Sequence, residues 1–513
     1  MKTITRAKNT LICSLTITIV MMGCSQAGPE VGPRPDSIDA EAIHIQPAQG
    51  VSTPPFVFDT ADKALLDEIT QTTFWYFWEA VCPDTGMVYD RTSSDVVSVA
   101  GVGFQLAALP IGVERGWITR EQGVERAAQI LNALENEPSN RKAGLFYHFI
   151  NPHDASARRV GRELVVSTID SALLFSGMMV AGEYFEGDIA RQADRLFAAA
   201  DWTFFLADPG PDGPPGTFLS LGWKPTHDTD PTGDGALLPY YWLDSGDEHR
   251  LAVFMGLCAP NPDFRLPPSA YWNLRRQIGW HDGQGPIVYF PYSGALFTSF
   301  FAHLFIDYAS LGSDNPGANG SPHRVRVNWW ENARRTVHLH RDRAIQNPLG
   351  LTTIGPNAWG FSASDGPEGY LVSQQFPEPV PMRGAQPGRD FPTYTPSAIW
   401  GDGVIAPYAP GTCIMFEPEL AIAALRFARN STTADGSPGV WRGSYPDGWG
   451  FADAYRLDEN GQIDWIAEDF VAISQGPLLL GIENAQNGLI WQLFMAHEGP
   501  QRAFEALGAA KRP

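Results

Sequence analysis

The sequence predicts an all-α chain folded as one large domain with elaborate loops. Apolar residues recur at helical spacing in about eleven stretches. The segments between them are long and rich in Gly and Pro, of which the 513 residues hold 51 and 42. No charge-rich linker and no repeat of fixed length divides the chain. A closed ring of helix pairs would gather such loops at one end around a central cleft. A helical solenoid or two bundles would carry the same hydrophobic spacing.

From the N-terminus, Lys2, Arg6 and Lys8 precede an apolar stretch from Leu11 to Gly23 that is too short to span a bilayer. It ends in Met21-Met22-Gly23-Cys24, a small residue before a cysteine, which resembles the lipobox of bacterial lipoproteins. Residues 1–23 are expected to be a signal peptide, with Cys24 the lipidated residue. Residues 24–58, rich in Pro, Gly, Gln and Ser, read as a tether, and 59–513 as the single folded domain. The expected location is the bacterial outer membrane, lipid-anchored and facing the periplasm or the cell surface.

The helices follow in order. Ala61–Val81 is amphipathic through Leu65, Leu66, Ile69, Phe74, Phe77 and Trp78. Val97–Gly116 is apolar throughout and reads as a buried helix. Thr119 caps the next helix, which runs to about Asn136 with Glu121 and Glu125 suiting its dipole. Glu163–Phe185 and Asp188–Ala207 form another pair. Further helical stretches are Asp247–Leu257, Gly294–Leu311, Val325–Ile345, Glu417–Arg429, Ile466–Glu483 and Leu489–Leu507. The intervening segments Asp208–Gly246, Gly312–His323 and Gly350–Gly411 are of a length that usually carries function.

The charge narrows the partner. With 36 Lys+Arg against 57 Asp+Glu, the net charge of −21 excludes a general nucleic-acid binder and disfavours anionic lipid. Loss of the signal peptide would leave the mature chain still more negative. The remaining thiols are Cys82, Cys258 and Cys413, and no CxxC or HExxH spacing occurs, so no metal and no cofactor are expected. A neutral ligand, bound by a monomer, fits best.

Polar residues concentrate where helices stop. Asp90 and Arg91 follow the first helix, and Asp170 lies within an apolar one, where a carboxylate needs a partner or water. Tyr241 and Trp242 run into Asp244, Asp247 and Glu248 ahead of the apolar stretch Leu251–Leu257. Aromatic faces stack on sugar rings while carboxylates hold hydroxyls or move protons. Glu248 stands near a helix start, which favours its charged form, so work as an acid requires opposing desolvation. Simple capping by Asp247 and Glu248 is the plainer alternative. Gly-rich loops carry Trp359, Asp365 and Tyr370, then Asp402. Glu468, Asp469 and Glu483 follow near the end.

These stretches resemble the bacterial glucoamylase-like family, grouped with glycoside hydrolase family 144, from about Leu65 to Met495. The likeness rests on Thr73-Phe74-Trp75-Tyr76-Phe77-Trp78, Gly112-Val113-Glu114-Arg115-Gly116, Tyr292-Ser293-Gly294-Ala295-Leu296-Phe297 and Asn328-Trp329-Trp330-Glu331-Asn332. It continues through Trp359 to Tyr370, Asp402 to Pro407, and Gln475-Gly476-Pro477 to Glu483-Asn484. The resemblance implies an (α/α)6 barrel and hydrolysis of β-glucosidic bonds, with β-1,2-glucan or its oligosaccharides as substrate. Asp247-Glu248 stands at the family's Asn-Glu, Glu468-Asp469-Phe470 at its Asp-Asp-Tyr, and Ser474 at its Asp or Asn before Gln-Gly-Pro. These departures, with insertions at Asp208–Gly235 and Phe376–Ser397, fall where a cleft would be shaped.

The implied mechanism is inversion, with Glu248 as general acid and Asp469, then Asp402 or Asp365, as base. An inverting pair stands about 6.5–9.5 Å apart. Asp90, Arg91, Asp170, Tyr241, Trp242, Trp359, Tyr370 and Glu483 are the expected substrate-binding residues. Two alternatives stay open: a non-catalytic glycan-binding lipoprotein, and a polysaccharide lyase using the cationic run from Arg334 and Arg335 to Arg343. For that run, a solvated or salt-bridged helix face is the preferred reading, since many acids are available to pair with it.

Overall fold

The computed structural model describes residues 43–207, 216–281, 283–289, 295–347, 350–371 and 403–509. The signal segment with Cys24, the tether up to residue 42, Asp402 and the insertion Phe376–Ser397 lie outside the described residues. The chain is helix-rich, and its helices share one continuous apolar core. Among the described residues no helix is long and apolar enough to cross a membrane.

In chain order the helices are α1 (Thr60–Glu79), α2 (Val99–Glu114), α3 (Arg120–Asn136), α4 (Thr168–Phe185), α5 (Gly187–Ala198), α6 (Asp247–Cys258), α7 (Pro268–Trp272) and α8 (Trp329–Gln346). They continue as α9 (Tyr408–Thr412), α10 (Pro418–Asn430), α11 (Ala472–Gln486), α12 (Leu489–Ala496) and α13 (Glu498–Leu507). They fall into two kinds. α2, α4, α6 and α11 are buried on nearly every face, as their near-continuous apolar sequences require. α3, α5 and α10 bury one stripe only: α5, for example, turns Ile189, Ala193, Leu196 and Phe197 inward. Three outer helices cover buried ones in this way, α3 on α2, α5 on α4 and α13 on α6.

α2 and α4 meet backbone to backbone. A Cβ on Gly177 would stand 1.9 Å from the Gly103 carbonyl oxygen, and one on Gly103 would stand 2.4 Å from that of Leu173. Only glycine permits this approach. It brings the N-terminal turns of both helices to the same end of the molecule. There Ser98 and Ser167 cap α2 and α4 by accepting from the backbone N–H groups of Gly101 and Asp170. Both serines also close two-residue strands. Val97–Ser98 pairs antiparallel with Phe149–Ile150, and Val166–Ser167 with the strand Gly222–Pro225. These short pairings tie the long loops down over the helix N-termini.

Several expected boundaries move. Gly294–Leu311 is not a helix in its described part, 295–311, but two short 3-10 turns, Leu296–Ser299 and Ala302–Leu304. The cause is Asp247, whose Oδ2 accepts from the backbone N–H groups of Ala302 (3.0 Å) and His303 (3.4 Å) and lies 2.6 Å from His303 Nδ1. Donors bound this way are lost to a helical ladder. The stretch expected from Ile466 begins its helix only at Ala472, after a strand, Ile463–Ile466. Leu489–Leu507 breaks at His497 into α12 and α13. Trp329 and Trp330 are both core, their indole N–H groups donating to Asp314 Oδ2 and the Met415 carbonyl at 3.0 Å. Arg334 and Arg335 pair with Glu331 and Glu417 at 2.7–2.8 Å, so this part of the cationic run is a salt-bridged face.

Candidate active site

A cavity of about 260 Å³ opens where the N-terminal turns of the buried helices converge. Ser98 and Ala100 of α2, Ser167 and Asp170 of α4, Glu248 of α6, and Val471 and Ile473 of α11 all reach it. Phe297 and Phe301, on the turns held by Asp247, form an apolar wall, and Trp242, Tyr370 and Tyr408 add polar-edged rings. Such a mixture of apolar rings and few convergent charges is what a small-ligand site requires.

Glu248 is the most perturbed of the cleft carboxyls. It has no hydrogen-bond or ion-pair partner among the described residues, and burial pushes it up to about 8, with the charges of Asp170 and Asp247 adding to the effect. Desolvation therefore wins over the helix N-terminus. Asp247, one residue earlier, behaves oppositely. Burial pushes it up too, but Arg250 and His303 outweigh burial and hold it below its ordinary range. It does not cap α6, whose N-cap is Gly246 without a side-chain bond.

Asp170 lies in the first turn of α4, not mid-helix, and faces the cleft with His148, whose Nε2 is 3.5 Å from Asp170 Oδ1. The other ring nitrogen, Nδ1, is 2.6 Å from Glu163 Oε1. Burial opposes the imidazolium, but Asp170 and Glu163 outweigh it and push His148 up to about 10. His148 and Glu163, both lining the cleft, are missed by the sequence reading. The only signal is a histidine between two rings, Tyr147-His148-Phe149.

A second cluster is built on Arg91. Its Nη1 donates to Asp365 Oδ1 at 2.9 Å and Asp469 Oδ2 at 3.4 Å, its Nε lies 3.7 Å from Asp90 Oδ2, and its guanidinium sits 5.5 Å from the centre of the Tyr370 ring. Asp453 joins it by accepting the Asp365 backbone N–H at 2.6 Å. Burial pushes Asp453 up to about 7, and the Asp365 charge adds to this while the Ser474 hydroxyl opposes it. Burial also raises Asp365, against Arg91. The Tyr408 hydroxyl donates to the Ala363 carbonyl at 2.8 Å, is 2.8 Å from Ser362 Oγ, and feels the charges of both Asp453 and Glu248. Asp453 escaped the sequence reading, although a lone acid in Phe451-Ala452-Asp453-Ala454-Tyr455 is a visible anomaly.

Of the expected site residues, Glu248, Asp90, Arg91, Asp170, Trp242 and Tyr370 do line the cleft. Asp365 lies just behind it, bound to Arg91. Asp469 does not reach it. Its carboxylate accepts from Thr92 Oγ1 (2.8 Å), Ser93 N (2.8 Å) and Ser93 Oγ (2.6 Å), and so holds the Arg91 loop. Tyr241 is half-buried beside the cleft, bridged to Ser220. Trp359 is fully buried in the core and offers no face to a ligand. Glu483 is also fully buried, 2.7 Å from Arg115 Nη2. It lies three turns along α11 from the cleft end, about 16 Å away at 1.5 Å per residue.

A helix-rich frame with a cleft of this kind at its buried helix ends is that of a glucoamylase-like protein. The chain belongs to the Glycoamylase family, described as "Putative glucoamylase", whose model matches residues 239–498. It is 25% identical over 495 residues to an exo β-1,2-glucooligosaccharide sophorohydrolase (non-reducing end) of Parabacteroides distasonis, covering 88% of this chain and 59% of that relative's length. A solved structure of a "putative glucoamylase" from Bacteroides uniformis matches with 26% identity and a TM-score of 0.70, over 89% of this chain and 99% of that one. The endo-β-1,2-glucanase of Chitinophaga pinensis, solved with sophorotriose and glucose, shares the fold at 22% identity and a TM-score of 0.68, over 88% and 99%. Asp90, Arg91, His148 and Asp170 precede the part that the family model matches.

Proposed function

We propose that this chain is an inverting glycoside hydrolase of β-glucosidic bonds, acting on β-1,2-glucan or its oligosaccharides. The observation that carries the reading is Glu248: a carboxyl in a ring-lined cleft, held protonated near neutrality by burial and by two neighbouring anions. That is the state a general acid needs. Glu248 gives its proton to the glycosidic oxygen as the bond to the anomeric carbon breaks. Water attacks the opposite face of that carbon. Its proton passes through a sugar hydroxyl to the Asp365–Asp453 pair. Trp242 and Tyr370 supply stacking faces, and Asp90, His148 and Asp170 supply partners for hydroxyls. Asp469 acts as a positioning residue for Arg91. We further read the frame as an (α/α)6 barrel, a single domain from residue 59, anchored in the outer membrane through Cys24.

Sugar release from linear β-1,2-glucan, laminarin, cellulose and starch tests the reading. The wild type should release sugar from β-1,2-glucan alone, and Glu248→Gln should lose about 10²–10⁴-fold of that rate. Binding without release by the wild type would sink the hydrolase reading in favour of a glycan-binding protein.

A further inference from the structure

Outside the cleft, the turn after α1 meets the loop at residues 151–155, and three different ligand-bearing side chains converge there. Cys82 is fully buried one residue after the Val81 bridge, while Asp84 and His153 are exposed. Cys82 Sγ lies 3.5 Å from His153 Nδ1 and 3.9 Å from Asp84 Oδ2, and that same nitrogen and oxygen lie 2.7 Å apart. Among the described residues this is the single group of His, Cys and acidic side chains whose ligand atoms all fall within 4.8 Å of one another.

The spacing can be tested against a tetrahedral centre. Bonds of about 2.3 Å to sulfur and about 2.1 Å to nitrogen and oxygen place the ligand atoms roughly 3.6 Å apart along S–N and S–O and roughly 3.4 Å along N–O. The two sulfur edges already match to about 0.3 Å. The N–O edge is closed by a hydrogen bond and must open by about 0.7 Å, a small movement for two exposed side chains. The surroundings are prepared as well. In the unliganded site His153 Nδ1–H donates to Asp84 Oδ2, while Asp95 Oδ1 stands 3.5 Å from Nε2, where it can hold the N–H on that nitrogen once Nδ1 gives its proton up to a metal. Among the described residues neither Asp84 nor Asp95 has a Lys or Arg partner; both face His153. The exposure of Asp84 and His153 gives an ion a path in from solvent.

We propose that Cys82, Asp84 and His153 form a binding site for a zinc-type divalent cation, with Asp95 as the carboxylate that orients His153. Thiolate, imidazole and carboxylate together select a borderline-soft ion over calcium or magnesium. Three protein ligands leave the fourth position to water. On binding, the Cys82 thiol gives its proton to solvent, the His153 Nδ1–H proton leaves for solvent with the ring N–H kept on Nε2 beside Asp95, and the freed sulfur and nitrogen lone pairs go to the metal. The ion clips the 82–89 turn to the 151–155 loop, and these segments run directly into Asp90–Arg91 and out of His148. No local motif announces the site, because Cys82 and His153 are 71 residues apart.

The test uses the reduced, metal-stripped full chain titrated with Co²⁺, then with Zn²⁺. The expected result is a thiolate-to-cobalt charge-transfer band that zinc displaces, about one Zn²⁺ retained per chain, and a raised Tm with zinc. Cys82→Ser and His153→Ala should each lose the band and the Tm gain. Asp95→Asn should keep the band and weaken binding about 10–100-fold. His153 is exposed, so its variant reports on binding even where Cys82→Ser folds poorly. A band that persists in both variants, or a folded wild type that shows neither band nor retained zinc, overturns the proposal.

Discussion

Asp247 and Glu248 are adjacent at the start of one buried helix and take opposite protonation states. Asp247 is surrounded by donors, from Arg250 and from the turn at Ala302–His303, and stays an anion. Glu248 has none of these, faces the cleft, and stands at about 8. The anion of the first residue helps keep the second protonated, and it also braces the Phe297–Phe301 wall of the cleft.

The Asp170 charge is, after burial, the next cause of the raised Glu248 value. Asp170→Asn removes that charge and should lower it. If Glu248 is the acid, the alkaline limb of kcat/KM moves to lower pH, which a pH–rate profile on β-1,2-glucan oligosaccharides would register. An unmoved limb would separate Glu248 from the alkaline titration.

Glu248 also ties stability to pH. Its ordinary value is 4.5 and its folded value about 8. Between those limits the unfolded chain has lost a proton that the folded chain keeps, so this residue makes stability fall as pH rises. Gln cannot ionise. The Tm of Glu248→Gln relative to wild type should therefore climb from pH 4.5 towards 8, measured by calorimetry across that window. A constant difference would show that the carboxyl is not held protonated.

Asp365 is, after burial, the main reason Asp453 stands at about 7. Asp365→Asn should lower Asp453 and carry the acidic limb of kcat/KM downward, while Asp453→Asn should remove the limb together with most of the rate. An acidic limb unchanged in both variants would place the base elsewhere.

Gly177→Ala should destabilise by about 3 kcal/mol, the upper part of the usual overpacking range, because its methyl meets a carbonyl oxygen rather than a flexible side chain. Urea unfolding would measure the loss. An unchanged midpoint would mean that α2 and α4 can part without cost.

What could be read from the sequence follows from what is local. The buried character of α2 and α4 is written in their uninterrupted apolar runs, and the start of α6 in Asp247 and Glu248 ahead of another. Depth is not local. Trp359 and Glu483 have the residue types of a sugar site, but one is core and the other answers Arg115. Partnerships across the chain are not local either. His148 gains its meaning from Glu163 and Asp170, and Asp453 from a backbone N–H 88 residues away. The missing helix at 296–304 has the same origin, since the Asp247 carboxylate that unwinds it lies about fifty residues upstream.

The short strands that cap the helix starts carry one more consequence. Because Ser98, Ser167, Glu248 and Val471 all sit on or beside the first turns of core helices, the floor of the cleft cannot be widened without dismantling the interior. The loops strapped over it, such as those bearing Leu221 and Leu238, are under no such restriction. On the proposed function, a preference for longer or shorter glucans would be altered by exchanging straps while Glu248 stays untouched, and libraries aimed at new linkages belong there rather than in the helices.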